Sequence, residues 1–243
     1  MLLIPAIDLK KGFCVRLLQG ESDKETVYSN DPAAMAVKFE KTGAKRLHLV
    51  DLDGAFKGVG DNISSIRSIL KNVSIPVQIG GGLRTEEDID RMLDLGASAV
   101  IVGTMAVKRP DVLEKILNKY TDEQIILGID VRNRKVSIEG WNESTVIQDV
   151  EFALRWKNSG LQRVIFTDIS RDGMLRGPNL AALREMAEHT GLKIVASGGI
   201  SSMDDLEKLK TLEPYGVDQV ISGKAIYERK IDLKKVFKCL QSE

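Results

Sequence analysis

The chain has 243 residues, 43% of them hydrophobic, and its 35 Lys and Arg balance 35 Asp and Glu for a formal net charge of zero. Without a basic excess to neutralise a phosphate chain, nucleic acid and anionic membrane surfaces are excluded as main partners, while a small phosphorylated ligand needs only a few local donors. The two cysteines, Cys14 and Cys239, form no metal-ligand or redox motif, so reduced cytosolic thiols are expected. The apolar run before Pro5 and Asp8 is too short for a signal peptide, and no run reaches membrane-spanning length. A cytoplasmic location follows as the expectation.

In chain order, Leu2 to Asp8 reads as a buried strand ending in a carboxylate, and Phe13 to Leu18 as a short extended excursion. Glu21 to Asn30 is polar and reads as a loop. Asp31-Pro32 is an N-cap followed by an N1 proline, opening a helix that stops near Gly43. Arg46 to Asp51 is the second strand, Asp53 to Asp61 a glycine-bearing loop, Asn62 to Lys71 a helix, and Pro76 to Ile79 the third strand, followed at once by Gly80-Gly81-Gly82. Thr85-Glu86-Glu87-Asp88 opens a helix with a capping-box pattern that stops at Gly96. Ala99 to Val102 is the fourth strand, closed by Gly103-Thr104; Pro110 to Lys119 is a helix and Gln124 to Asp130 the fifth strand.

Arg134 to Gly140 reads as a hairpin presenting Trp141, and Val146 to Ser159 as a helix. Arg163 to Asp168 is the sixth strand, Ser170 to Pro178 a glycine-rich loop, and Asn179 to Thr190 a helix. Lys193 to Ala196 and Gln219 to Ser222 are the seventh and eighth strands. Eight alternations of apolar strand and helix point to an α/β fold, a single (β/α)8 TIM barrel spanning 1–243, with an open doubly wound sheet as the alternative. The segments 21–30, 53–61, 141–146 and 171–178 are candidate lids.

An internal half-barrel repeat carries most of the functional argument. Gly81-Gly82 and Gly198-Gly199 are 117 residues apart, Gly103 and Gly223 are 120 apart, and Asp8 and Asp130 are 122 apart. The offsets cluster near half the length and divide the chain at about 1–122 and 123–243. In barrels, the loops after the last two strands often bind phosphate through backbone N–H groups and a helix N-terminus. Gly198, Gly199, Gly223 and Lys224 stand there, and Gly81, Gly82, Gly103 and Thr104 stand at the matching places of the first half. Two phosphate sites on opposite sides of one barrel mouth are expected; the plainer alternative is tight strand-to-helix turns.

Asp8 and Asp130 fall between those sites, where a carboxylate pair with separated pKa values acts as base and acid. The alternative is an Asx turn at each loop start. Thr167 ends the sixth strand with a hydroxyl where the first half has Val50. Asp172 either orients Asp130 or Thr167 or caps its turn. His48 shares inward parity with Val50 and is either a satisfied barrel histidine or a ligand contact. Arg16 and Trp141 lie on segments over the mouth, one suited to an anion, the other to a planar ring.

The segments Pro5–Leu9, Gly80–Arg84, His48–Ala55, Thr167–Gly173 and Ser197–Ile200 together resemble the ProFAR isomerases of histidine biosynthesis, over essentially the whole chain. That resemblance implies an Amadori rearrangement of an aminoaldose, ProFAR, to an aminoketose, PRFAR, on a small substrate with a phosphate at each end. It implies Asp8 as base, Asp130 as acid and Thr167 beside them, with Arg84 at the first glycine turn, and neither metal nor organic cofactor. A monomer without nucleic-acid or membrane partners is expected. The related cyclase subunit of the same pathway normally has Cys-Leu-Asp where this chain has Ala6-Ile7-Asp8, which favours the isomerase.

Overall fold

A computed structural model of the chain describes residues 1–18, 21–57 and 60–240. Eight parallel strands form a closed ring: β1 (Leu2–Lys10), β2 (Leu47–Asp51), β3 (Val77–Gly80), β4 (Ala99–Val102), β5 (Ile125–Arg132), β6 (Arg163–Asp168), β7 (Lys193–Ser197) and β8 (Val217–Ser222). Each pairs with the next, and β8 returns to β1 through Leu2 opposite Gln219 and Pro5 opposite Ser222. This is the (β/α)8 barrel expected from the alternation of elements, not the open sheet.

Side-chain alternation then decides what faces inward. Ile4, Ala6, Ala99, Ile126, Ile165, Val195 and Ile221 fill the barrel interior, while the larger apolar cluster lies between strands and helices. Asp8 follows the parity of Ile4 and Ala6, Asp130 that of Ile126, and Thr167 that of Ile165. All three therefore point into the mouth at the C-terminal strand ends.

The helices carry the punctuation read in the sequence. Asp31 accepts from the Ala34 N–H at the start of Pro32–Thr42, and Gly43 ends that helix at φ 118°. Capping boxes start Glu86–Asp94 at Thr85 and Met203–Lys210 at Ser202. Among the described residues no helix is long and apolar enough to cross a membrane.

Three expectations are corrected. The segment 21–30, read as a loop, forms the strand Glu21–Ser29, antiparallel to Phe13–Leu18, which itself pairs with β1. Pairing with a neighbour makes the strand, so its polar composition concealed it. Part of 53–61 is the short helix Leu52–Lys57; residues 58 and 59 lie outside the described residues. The region 146–159 starts as a strand, Glu143–Gln148, before the helix Asp149–Asn158. Its Glu143, Ser144 and Gln148 pair with Lys135–Ile138, which hairpins off β5, and the β-branched Thr145-Val146-Ile147 run lies between those pairs.

The glycine pairs after β3 and β7 show why side chains are excluded there. A Cβ on Gly82, at φ +74°, would lie 2.1 Å from the Gly54 carbonyl oxygen, and one on Gly199, at φ +86°, 2.3 Å from that of Gly177. The same turn is packed the same way at both places. Gly96 also has positive φ (+106°), but open space surrounds its missing Cβ. Gly82→Ala is expected to destabilise by about 3 kcal/mol or more, combining left-handed strain with a backbone clash. Gly96→Ala is expected to cost about 1–2 kcal/mol, the conformational part alone. Urea unfolding of the two variants measures the difference.

Candidate active site

The top of the barrel is hollow because two inward positions carry no side chain. Gly80 and Gly128 flank Ile101, and a Cβ at either would come within 3.0–3.2 Å of that residue. The resulting cavity, about 220 Å³, is lined by Asp8, Arg16, His48, Arg84, Asp130, Trp141, Thr167 and Asp172, together with Gly81, Gly82, Gly103 and Thr104. A smaller hollow of about 20 Å³ adjoins it, lined by Gly198, Gly199, Gly223 and Lys224 and sharing Arg16, Asp172, Ser197 and Ile221 with the larger one. Every site residue read from the sequence lines one of these two connected spaces.

The two carboxylates have different surroundings. Arg16 Nη1 donates to Asp8 Oδ2 at 2.7 Å, and its Nη2 donates to Asp172 Oδ2 at 3.0 Å. Burial pushes the Asp8 pKa up and Asp172 adds to that, while Arg16 opposes both. Against its own burial, Arg16 is held firmly protonated by Asp172 and Asp8. Asp8 Oδ1 has no hydrogen-bond partner. Asp130 is also raised by burial, opposed only by the neutral donors Trp141 and Thr167, with Asp172 pushing it further up. Among the described residues Asp130 thus lacks the cation that Asp8 has beside it, and of the two it retains a proton more readily.

Asp172 pairs with Arg16 and holds that guanidinium against Asp8. Arg16 has both terminal nitrogens engaged by these carboxylates, while among the described residues its Nε has no hydrogen-bond partner. Trp141 reaches Asp130 from a backbone at φ 72°, next to Glu139 and Gly140, also at positive φ.

His48 is buried and neutral, its pKa lowered to about 3 by burial and by the charge of Arg16. Its Nδ1 meets Gln78 Nε2 at 3.0 Å. Gln78 went unremarked in the sequence, although a polar residue inside Val77-Gln78-Ile79 and sharing the parity of Gly80 was a usable signal. Glu139 was missed as well. Its backbone N–H donates to Thr104 Oγ1 at 3.0 Å and its carboxylate meets Arg84 at 3.4 Å, a contact between segments 55 residues apart that nothing local foretells.

The anion reading changes in one respect. Asp88 accepts from the N–H groups of Arg84 and Thr85, and Asp205 from those of Ser201 and Ser202, so the longer helices are capped by their own carboxylates. What remains at each glycine turn is a one-turn helix, Thr104–Lys108 or Lys224–Tyr227. Gly103 (φ −124°, ψ −81°) and Gly223 (φ −119°, ψ −84°) precede them in nearly the same conformation. Such short helices have little dipole, so an anion there would depend on backbone N–H groups, Arg84 and Lys224.

The family described as a histidine biosynthesis protein matches residues 2–232. A protein from Pelotomaculum thermopropionicum is 51% identical over 243 residues, covering 100% of this chain and 93% of its own length. Proteins from Syntrophomonas wolfei (50% identity, 96% of each chain) and Desulforamulus reducens (46%, 100% of this chain and 98% of its own) match similarly. All three carry the name 1-(5-phosphoribosyl)-5-((5-phosphoribosylamino)methylideneamino)imidazole-4-carboxamide isomerase.

The environment of Asp130 makes a stability prediction. With its pKa raised in the fold, the folded protein binds that proton more tightly than the unfolded chain, and stability falls as pH rises through the folded value. Asp130→Asn removes the buried charge. It should raise the melting temperature at pH 7, by about 2–4 °C per kcal/mol released, with the gain vanishing below the ordinary carboxylate range near ~3.9. Calorimetry across pH 3–8 measures it.

Proposed function

Since the chain belongs to the histidine biosynthesis protein family, we propose that it is an intramolecular aldose–ketose isomerase converting the aminoaldose ProFAR to the aminoketose PRFAR in L-histidine biosynthesis. The observation that carries the reading is the pair of inward carboxylates, Asp8 on β1 and Asp130 on β5, in one cavity with unlike neighbours. A non-catalytic phosphosugar-binding barrel would not need to bury two carboxylates, each at a cost to folding.

Asp130, its pKa raised by burial, gives its proton to the ribose ring oxygen. The C1–O bond breaks as the nitrogen lone pair forms the Schiff base. Asp8, ionised beside Arg16, takes the C2 proton through its free Oδ1. The electrons left at C2 form the C1–C2 double bond of an enolamine and neutralise the iminium nitrogen. The C2 hydroxyl then gives its proton to the Asp130 carboxylate and becomes the ketone as C1 takes the proton held by Asp8, which restores both groups. The substrate nitrogen is the electron sink, so the chemistry requires neither metal nor organic cofactor. Thr167 and Trp141 hold the Asp130 carboxyl through hydrogen bonds.

The substrate's two phosphates occupy the two glycine turns. One sits at Gly81, Gly82, Gly103 and Thr104 with Arg84, the other at Gly198, Gly199, Gly223 and Lys224. The recurrence of one backbone conformation at Gly103 and Gly223 supports this. Pinned at both ends, the sugar lies between acid and base, which lowers the entropy cost of reaching the reactive geometry. The 117–122-residue offsets support two half-barrels, about 1–122 and 123–243, of one domain. The protein acts as a cytoplasmic monomer with no nucleic-acid or membrane partner.

Asp8→Asn and Asp130→Asn are each expected to lower kcat by about 10²–10⁴-fold while leaving substrate binding within a few-fold of wild type. Turnover of the aminoaldose, followed chromatographically, and calorimetric binding separate the two effects. Wild-type turnover in either variant would remove that residue from the chemistry.

A further inference from the structure

Below the two carboxylates, the barrel interior holds a polar pair in an otherwise largely apolar layer. His48 on β2 stands beside Ala6 on one side and Gln78 on the other in the sheet register, so all three face inward. Gln78 is completely buried and does not line the cavity; His48 does. Gln78 Nε2 lies 3.0 Å from His48 Nδ1, and among the described residues Gln78 Oε1 has no hydrogen-bond partner.

We propose that Gln78 is a positioning residue. Its side-chain amide donates to Nδ1 of His48, locks the imidazole as the Nε2–H tautomer, and so fixes a neutral hydrogen-bond donor on the cavity floor for a sugar oxygen of the substrate. The role in turnover rests on the isomerase reading; the tautomer does not.

Three observations carry this. The ring's Nδ1 is taken by a residue outside the cavity, while His48 itself lines the cavity. An amide donor at Nδ1 leaves the proton on Nε2, as in other sites where a partner selects the tautomer. The side chain is also costly where it stands: an interior amide with an unpartnered oxygen is a penalty that a methionine of similar size avoids. A residue serving packing alone has no reason to incur it.

A neutral donor suits the chemistry. The imidazole resists protonation, both because it is buried and because Arg16 is near, so it neither competes with Asp130 as acid nor takes the C2 proton from Asp8. It can orient a hydroxyl while the two carboxylates move protons.

The chain has two histidines, and the other, His189, is exposed, so imidazole spectra can be assigned with His189→Asn. Long-range ¹H–¹⁵N spectra of the wild type are expected to show His48 bare at Nδ1 and protonated at Nε2. Gln78→Met should give a mixture of tautomers or the reversed one. It should lower kcat for the aminoaldose roughly tenfold, with KM within about twofold and the unfolding temperature near wild type. A wild-type spectrum with the proton on Nδ1 overturns the proposal, and so does Gln78→Met with wild-type kcat. A purely structural role would instead lower the unfolding temperature and leave kcat alone, which also overturns it. Failure of the wild type to turn over the aminoaldose counts against the isomerase reading and is seen separately from the imidazole spectrum.

Discussion

Closure of the barrel places two carboxylates in one low-dielectric cavity, and the remaining site features follow from their being there. Neither Asp8 nor Asp130 would be stable as an isolated buried anion. Each is held in its own way: Asp8 by the Arg16 guanidinium, which Asp172 anchors from the other side, and Asp130 by the uncharged donors Trp141 and Thr167. The asymmetry is electrostatic, because among the described residues a cation stands next to one carboxylate and none next to the other. From two equivalent strand ends it makes two unlike carboxylates, as the proposed base and acid require.

The rim of the cavity is organised around absent side chains. Gly80 and Gly128 open the space, and Gly82 and Gly199 let one loop's backbone lie against another's carbonyl. The longer helices are capped by their own Asp88 and Asp205, while the turns at Gly103 and Gly223 share nearly one backbone conformation. This arrangement spends stability on an empty hollow and two buried acids, the expected cost of a preorganised site.

Most of the fold was legible because barrel strands buried on both faces read as unbroken apolar runs, and because Asp31-Pro32, Thr85, Gly43 and Gly191 punctuate the helices. The strands 21–29 and 143–148 were not legible. They sit on hairpins off the barrel, paired through backbone, with much of the side-chain surface of 25–29 and 143–148 open, so they need no hydrophobic alternation. The site divides in the same way. Asp8, Asp130 and the glycine turns showed through the repeat, while the Arg16–Asp172 pair joins residues 156 positions apart and Gln78 hides inside a strand. Long-range pairing of this kind leaves no local pattern.

The central claim is that one sugar, held at both ends, lies between Asp8 and Asp130. A crystal structure with a non-reactive bisphosphorylated substrate analogue tests it most directly. One phosphate should lie on Gly82, Gly103 and Thr104, the other on Gly199, Gly223 and Lys224, with the sugar's C2 facing Asp8 and its ring oxygen facing Asp130. A ligand with a phosphate left in solvent, or with its sugar turned away from both carboxylates, would contradict the account.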